Sequence, residues 1–129
     1  MFNLRLQVIA TAIIILIDTI YLRSKQDLYA PILALSKRVH ILPAVAAWAI
    51  IVLGVQWFSM GSFVQGAMLG FVMYGLYNMT NMATIDTWTV ELAIKDTLWG
   101  MILVGLMSTI MPYFNTMQVS PNSGDSVTK

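Results

Sequence analysis

Residues Phe63–Trp88 read FVQGAMLGFVMYGLYNMTNMATIDTW, and the reading of this stretch decides the fold. Its apolar part, Phe63 to Met82, has about the 20 residues that a helix needs to cross roughly 30 Å of hydrocarbon. It does not alternate polar and apolar residues as a barrel strand would, and the helix is the other backbone form that spans a bilayer. Its last turns nevertheless carry Asn78, Thr80 and Asn81. An amide in hydrocarbon is costly without a hydrogen-bonding partner. The stretch therefore predicts a spanning helix whose polar end is met by polar groups from other helices.

Working outward, three further apolar runs have similar length. Leu6–Leu22 is LQVIATAIIILIDTIYL, and Ile41–Phe58 is ILPAVAAWAIIVLGVQWF. A fourth runs from near Thr89 to near Phe114 and is most apolar at LWGMILVGLMSTIMPYF. Of the 129 residues, 58% are apolar and 10% charged, against about a quarter charged in ordinary soluble domains. A chain this short has too little interior to hide that much apolar surface from water. The expectation is an all-α integral membrane bundle of four transmembrane helices over 1–114. Its spans are placed at about 6–22, 41–58, 63–82 and 90–113. The first run lacks a small-x-small cleavage site and carries Asp18, so it is expected to be a retained span and not a removed signal.

The connections differ in kind. Arg23–His40 carries Arg23, Lys25, Lys37 and Arg38 around an apolar middle, LYAPILAL. This predicts an interfacial segment between the first two spans, with Pro31 in the first turn of a short helix. Ser59–Ser62, SMGS, is a tight uncharged hairpin. Ala83–Trp88 is a short turn in which Asp86 or Thr87 can cap the last helix, and Trp88 can sit at the interface. Residues 115–129 are polar, contain Pro and Gly, and are expected to form a disordered tail. Basic residues near spans favour the cytoplasm. The first connection has four of them, so both termini are expected on the non-cytoplasmic side.

Two carboxylates lie inside apolar runs, Asp18 and Asp96. A charge at mid-helix costs about 2.5–3.5 kcal/mol on insertion scales, and an intramembrane carboxylate is by default a functional candidate. Asp18 and Asn78 lie roughly 7 Å, and Asp96 about 10 Å, from one membrane face at 1.5 Å per residue. Asn78 and Asn81 share a helix face, with Tyr74, Gly70 and Gly66 preceding Asn78 at four-residue steps. GAMLG is a GxxxG match that permits close helix approach, and Gly100 offers the same on the last helix. Asp96 shares a face with Trp99 and Gly100, and Asp18 with Tyr21. These faces predict one polar cluster of Asp18, Tyr21, Tyr74, Tyr77, Asn78, Thr80, Asn81, Asp96 and Trp99, with Gly66, Gly70 and Gly100 as packing positions.

The segment Tyr77–Gly100, YNMTNMATIDTWTVELAIKDTLWG, resembles the signature of the membrane family catalogued as domain of unknown function 2177. That pattern runs Tyr-Asp-Leu-Thr-Asn-x-Ala-Thr, then Trp, then Asp-x-x-Trp-Gly. Tyr77, Thr80, Asn81, Ala83, Thr84, Trp88, Asp96, Trp99 and Gly100 match it in place. Asp18, Tyr21 and Leu22, followed by Tyr29, are similar to its N-terminal pattern, and the resemblance extends over about residues 10–112. Where the family usually has Asp, this chain has Asn78. The resemblance implies a four-helix integral membrane protein and carries no established activity.

Several classes are excluded or disfavoured by composition. Zero cysteines rule out disulfides, thiolate catalysis and Cys-ligated metals, and His40 alone cannot build a multi-histidine site. No metal or cofactor is expected. A net charge of +1 with seven scattered Lys and Arg gives no patch for nucleic acid. No nucleotide loop or strong nucleophile stands out, so an enzyme is not favoured. The expectation is binding, with or without processing, of a lipid or small apolar molecule at a polar cluster near the cytoplasmic leaflet, with membrane lipids as surroundings. Met73, Tyr74 and Trp99 would line its apolar part. The alternatives are an element of a homo-oligomeric transporter or channel with protonatable carboxylates, and a passive structural membrane protein.

Overall fold

A computed structural model describes residues 2–33 and 41–116. The described chain is all helical, with α1 (Leu4–Ser24), α2 (Gln26–Leu33), α3 (Ile41–Phe58), α4 (Phe63–Thr84) and α5 (Val90–Thr116). Three of them, α1, α3 and α5, are long and apolar enough to cross a membrane. α4 has comparable length at 22 residues, but glycines and amides dilute its apolar character.

Buried residues recur at helical spacing on each long element. On α1 they are Leu6, Ala10, Ile14 and Asp18, one every four residues. On α4 they are Gly66, Gly70 and Asn78. On α5 the buried line runs from Leu92 through Asp96, Gly100, Leu103 and Met107 to Met111. Residues at this spacing share one side of a helix, so these lines meet in a common core. Leu6, Ala10, Ile14, Val52, Val55, Leu103, Val104, Met107 and Met111 form its apolar part. The outer faces carry Leu4, Leu16, Leu42, Val64, Leu76 and other large apolar residues, mostly more than half exposed. In a protein of the bilayer that surface meets lipid.

The tightest packing is between α4 and α5. A Cβ on Gly70 would run into the backbone carbonyl of Gly100 and lie 2.9 Å from Met101 Cα. One on Gly66 would strike the Ser108 side chain and lie 2.7 Å from the Val104 carbonyl oxygen, and one on Gly100 would strike the Tyr74 ring. Only glycine allows backbones this close. α1 packs on α3 and α5, and α3 packs in turn on α4 and α5. α1 and α4 have no substantial mutual interface, which leaves space between them.

Two prolines explain local details. Pro112 lies inside α5 and cannot donate a hydrogen bond to the carbonyl of Ser108, four residues back. That carbonyl instead accepts from Gly61 N–H (2.8 Å) of the α3–α4 hairpin. Gly61 adopts φ 94°, a region open to glycine. Pro31 lies in the second turn of α2 and not in its first, because α2 starts at Gln26 immediately after the α1 cap at Lys25. α5 is capped by Thr89, whose Oγ1 accepts from Leu92 N–H (3.2 Å), and not by Asp86 or Thr87. It continues to Thr116, two residues beyond the boundary expected at 114. The remainder of the expected tail, 117–129, lies outside the described residues, as do residues 34–40 with Lys37, Arg38 and His40.

Candidate functional site

The α1 line of buried residues ends on Asp18, and its carboxylate reaches two neighbouring helices. Trp48 Nε1–H of α3 donates to Oδ2 (2.8 Å), and Trp99 Nε1–H of α5 donates to Oδ1 (2.8 Å). Tyr21, three residues on, stacks its ring flat on Trp99 at 4.0 Å and 4°. Asp18 is thus fixed by two neutral indoles, one per oxygen.

Asp96 is held in a parallel way by two other elements. Tyr29 Oη of α2 donates to Oδ1 (2.7 Å), and Asn78 Nδ2 of α4 donates to Oδ2 (2.8 Å). Asn78 is fully buried and its amide is used at both ends. Nδ2 also donates to the Tyr74 carbonyl (2.8 Å) and lies 3.3 Å from Thr97 Oγ1. Oδ1 accepts from Trp88 Nε1–H (3.0 Å). Asn78 therefore joins α4 to α5 and to the turn before it. Burial, with the Asp96 carboxylate beside it, pushes the Tyr29 phenol well above its ordinary value, so Tyr29 stays a hydrogen-bond donor.

Two cavities adjoin these carboxylates. One, of about 420 Å³, is walled by Asp18, Trp48, Met73, Tyr74 and Tyr77 with Ala44, Ala47, Ile50 and Ile51 on its α3 side. The other, of about 320 Å³, lies beneath α2, where Asp18, Asp96, Tyr29 and Trp88 meet Leu22, Ile32, Tyr74 and Tyr77. Asp18, Tyr74 and Tyr77 are walls of both. No Lys, Arg or His is among the described residues that line either one.

The structure brings together Asp18, Tyr21, Tyr74, Tyr77, Asn78, Asp96 and Trp99, but as two carboxylate centres with separate donors. Tyr77 is half exposed and sets its ring edge-on to Trp88 at 5.7 Å. Thr80 stays apart, on the exposed side of α4, where its hydroxyl returns to the Leu76 carbonyl (2.9 Å). The physical reason is angular, since two residues along a helix turn a side chain by about 200°. Asn81 shares the inner side but bonds neither carboxylate, and its Nδ2 is buried without a protein partner. Trp99, expected both in the polar cluster and on the apolar wall, donates to Asp18.

Residue reading alone missed Trp48 altogether, and it gave Trp88 a place near the interface without its bond to Asn78, against which Trp88 is buried. A tryptophan in an apolar run has one N–H to satisfy when buried, and that was the available signal. Tyr29 entered only through the resemblance. A second polar layer at the opposite end also went unread. There Gln56 Nε2 donates to Gln7 Oε1 (2.7 Å), Gln56 Oε1 accepts from Asn3 N–H (3.1 Å), and Asn3 Nδ2 donates to Asn115 Oδ1 (3.0 Å). Ser59 and Ser108 hydroxyls pair beside it at 2.8 Å.

No curated protein and no solved structure matches the chain. Residues 3–113 match the family described as "Predicted membrane protein (DUF2177)", a span that includes Asp18, Asn78, Asp96 and both cavities. With most of its length matched, and with three helices long and apolar enough to cross a membrane, the chain belongs to the DUF2177 family of membrane proteins.

Proposed function

We propose that the protein is a four-span membrane bundle that binds a lipid or other small apolar molecule, with the molecule's polar end at Asp18 and Asp96. In this reading α4 is the fourth span, its amides covered by α5 and the α4–α5 turn. α2 lies along the cytoplasmic face, and both termini face the other side. The observation that carries the binding reading is the pair of cavities that share Asp18, Tyr74 and Tyr77 as walls. A cavity that is mostly apolar, with a few converging polar groups, is the usual form of a small-molecule site. Native mass spectrometry of the purified full-length protein tests it. A bound small molecule that survives mild detergent exchange supports the reading, and clean apo protein from several lipid mixtures overturns it.

A second reading has its own observation. All four carboxylate oxygens already accept from protein donors on other elements, which is what a purely structural pair would do. On that reading, variants of Asp18 and Asp96 change abundance and melting temperature together, and bound-molecule content does not depend on either residue.

A further inference from the structure

Resting on the binding proposal above, we infer that the polar end of the bound molecule is an organic cation: an ammonium group joined to an apolar tail. The inference comes from the chemistry of the walls. Asp18 faces both cavities and Asp96 faces the second. The groups that hold them are two indoles, a phenol and a carboxamide, all neutral. Neutral donors orient a carboxylate without cancelling its charge, and each oxygen keeps a lone pair for a further donor. Among the described residues lining the cavities nothing basic balances either group.

The rest of the lining is aromatic. Tyr74 and Tyr77 border both spaces, Trp48 the first, and Tyr29 and Trp88 the second. Aromatic faces attract cations through the ring quadrupole, most strongly when water is excluded, and aromatic walls with carboxylates are a setting for ammonium groups. A phosphate or carboxylate head meets the opposite situation, with two like charges and no Arg or Lys among the described lining residues to receive it. A Ca²⁺ or Mg²⁺ ion wants six or more oxygen ligands, whereas these oxygens are spread over two centres and already take protein hydrogen bonds. The tail has its own place along Ala44, Ala47, Ile50 and Ile51, where two small residues leave room beside α3. Ile50 is largely exposed on the outer side of α3, so this wall borders the lipid-facing surface.

The test uses full-length protein in a neutral detergent and three single-chain amphiphiles of equal chain length: an alkyltrimethylammonium, an alkyl phosphate and an alkanol. Retention is read by native mass spectrometry and by quenching of tryptophan fluorescence. The expected result is retention of the ammonium probe about tenfold tighter than either other probe. Asp18→Asn should bring it down to the alkanol's level. Tyr77→Leu should weaken the ammonium probe about three- to tenfold more than it weakens the alkanol. Tyr77 is half exposed, so this variant carries the test if Asp18→Asn does not fold. A trimethylammonium-headed diacyl lipid in nanodiscs distinguishes the sources: its retention identifies a membrane lipid, and retention of the water-added single-chain probe alone identifies a soluble amphiphile. Equal retention of all three probes, preference for the phosphate, or an ammonium preference indifferent to both substitutions overturns the cation inference while leaving an apolar site in place. Retention of none overturns the binding proposal itself.

Discussion

At the scale of single residues, the decisive feature is that Asn78 donates to Asp96 with one end of its amide and accepts from Trp88 with the other. Asp96→Asn retains the shape but supplies one acceptor where two donors, Tyr29 and Asn78, now arrive. We predict a loss of about 1–2 kcal/mol, measured as thermal unfolding in detergent, since interhelical bonds in bilayers reach about 1.7 kcal/mol. Exchanging the pair, Asp96→Asn with Asn78→Asp, restores an amide–carboxylate bond between the two positions but gives up the bond from Asn78 Nδ2 to the Tyr74 carbonyl. Asp at 78 accepts from Trp88 and from the new amide, and Asn at 96 accepts from Tyr29. The double variant should therefore recover at least half of the single variant's loss, and a double-mutant cycle with no coupling would count against this pairing. Trp99→Phe keeps the ring that stacks on Tyr21 but removes a donor to Asp18. Its expected cost is about 0.6–1.7 kcal/mol by the same measurement.

At the scale of elements, the close α4–α5 pair sets where Asn78 meets Asp96. Gly70→Ala places a methyl against the Gly100 carbonyl, and backbone cannot rotate aside as a side chain can. Overpacking of this kind costs about 1–3 kcal/mol, so the variant should show a lower melting temperature and a smaller yield of folded protein. Gly75 is the matched control, because a Cβ there meets only Thr97 Cγ2 at 3.9 Å, ordinary packing distance. Gly75→Ala should be neutral or slightly stabilising, as Ala is the better helix former by about 1 kcal/mol. The hairpin offers a further check. Gly61 holds φ 94° and donates to the carbonyl that Pro112 leaves free. Gly61→Val should cost about 1–3 kcal/mol in the same melting assay, since a β-branched residue resists positive φ.

At the scale of the whole molecule, the two polar layers mark opposite ends of the bundle. Asn3, Gln56, Ser59 and Asn115 gather at one end, while Asp18, Asp96 and Tyr29 gather towards the other, where α2 lies. If the bundle crosses a membrane with α2 on the cytoplasmic face, the Ser59–Ser62 hairpin lies outside with the termini. We predict that a cysteine at Ser62 reacts with an impermeant thiol reagent in intact cells. Reaction only after permeabilisation would reverse the orientation.

Much of the helical architecture was legible in the sequence for a simple reason. An apolar run in a chain with few charges must satisfy its own backbone, and the helix does this locally. Four-residue spacing likewise told which side of α4 turns inward, since Asn78 continues the line of Gly66 and Gly70, whereas the line of Leu6, Ala10 and Ile14 that leads to Asp18 on α1 came from the structure. Periodicity gives direction but not distance. It grouped Asp18, Asn78, Asn81 and Asp96 at one level, and could not say which donor meets which oxygen. Only the tertiary structure decided that Trp48 and Trp99 close on Asp18 from two helices, that α2 brings Tyr29 to Asp96, and that Asn81 is left aside. Those pairings join residues up to 81 positions apart in the chain. They depend on how closely glycine lets α4 approach α5 and on the space left between α1 and α4, quantities set by packing of the whole bundle and not by any one helix.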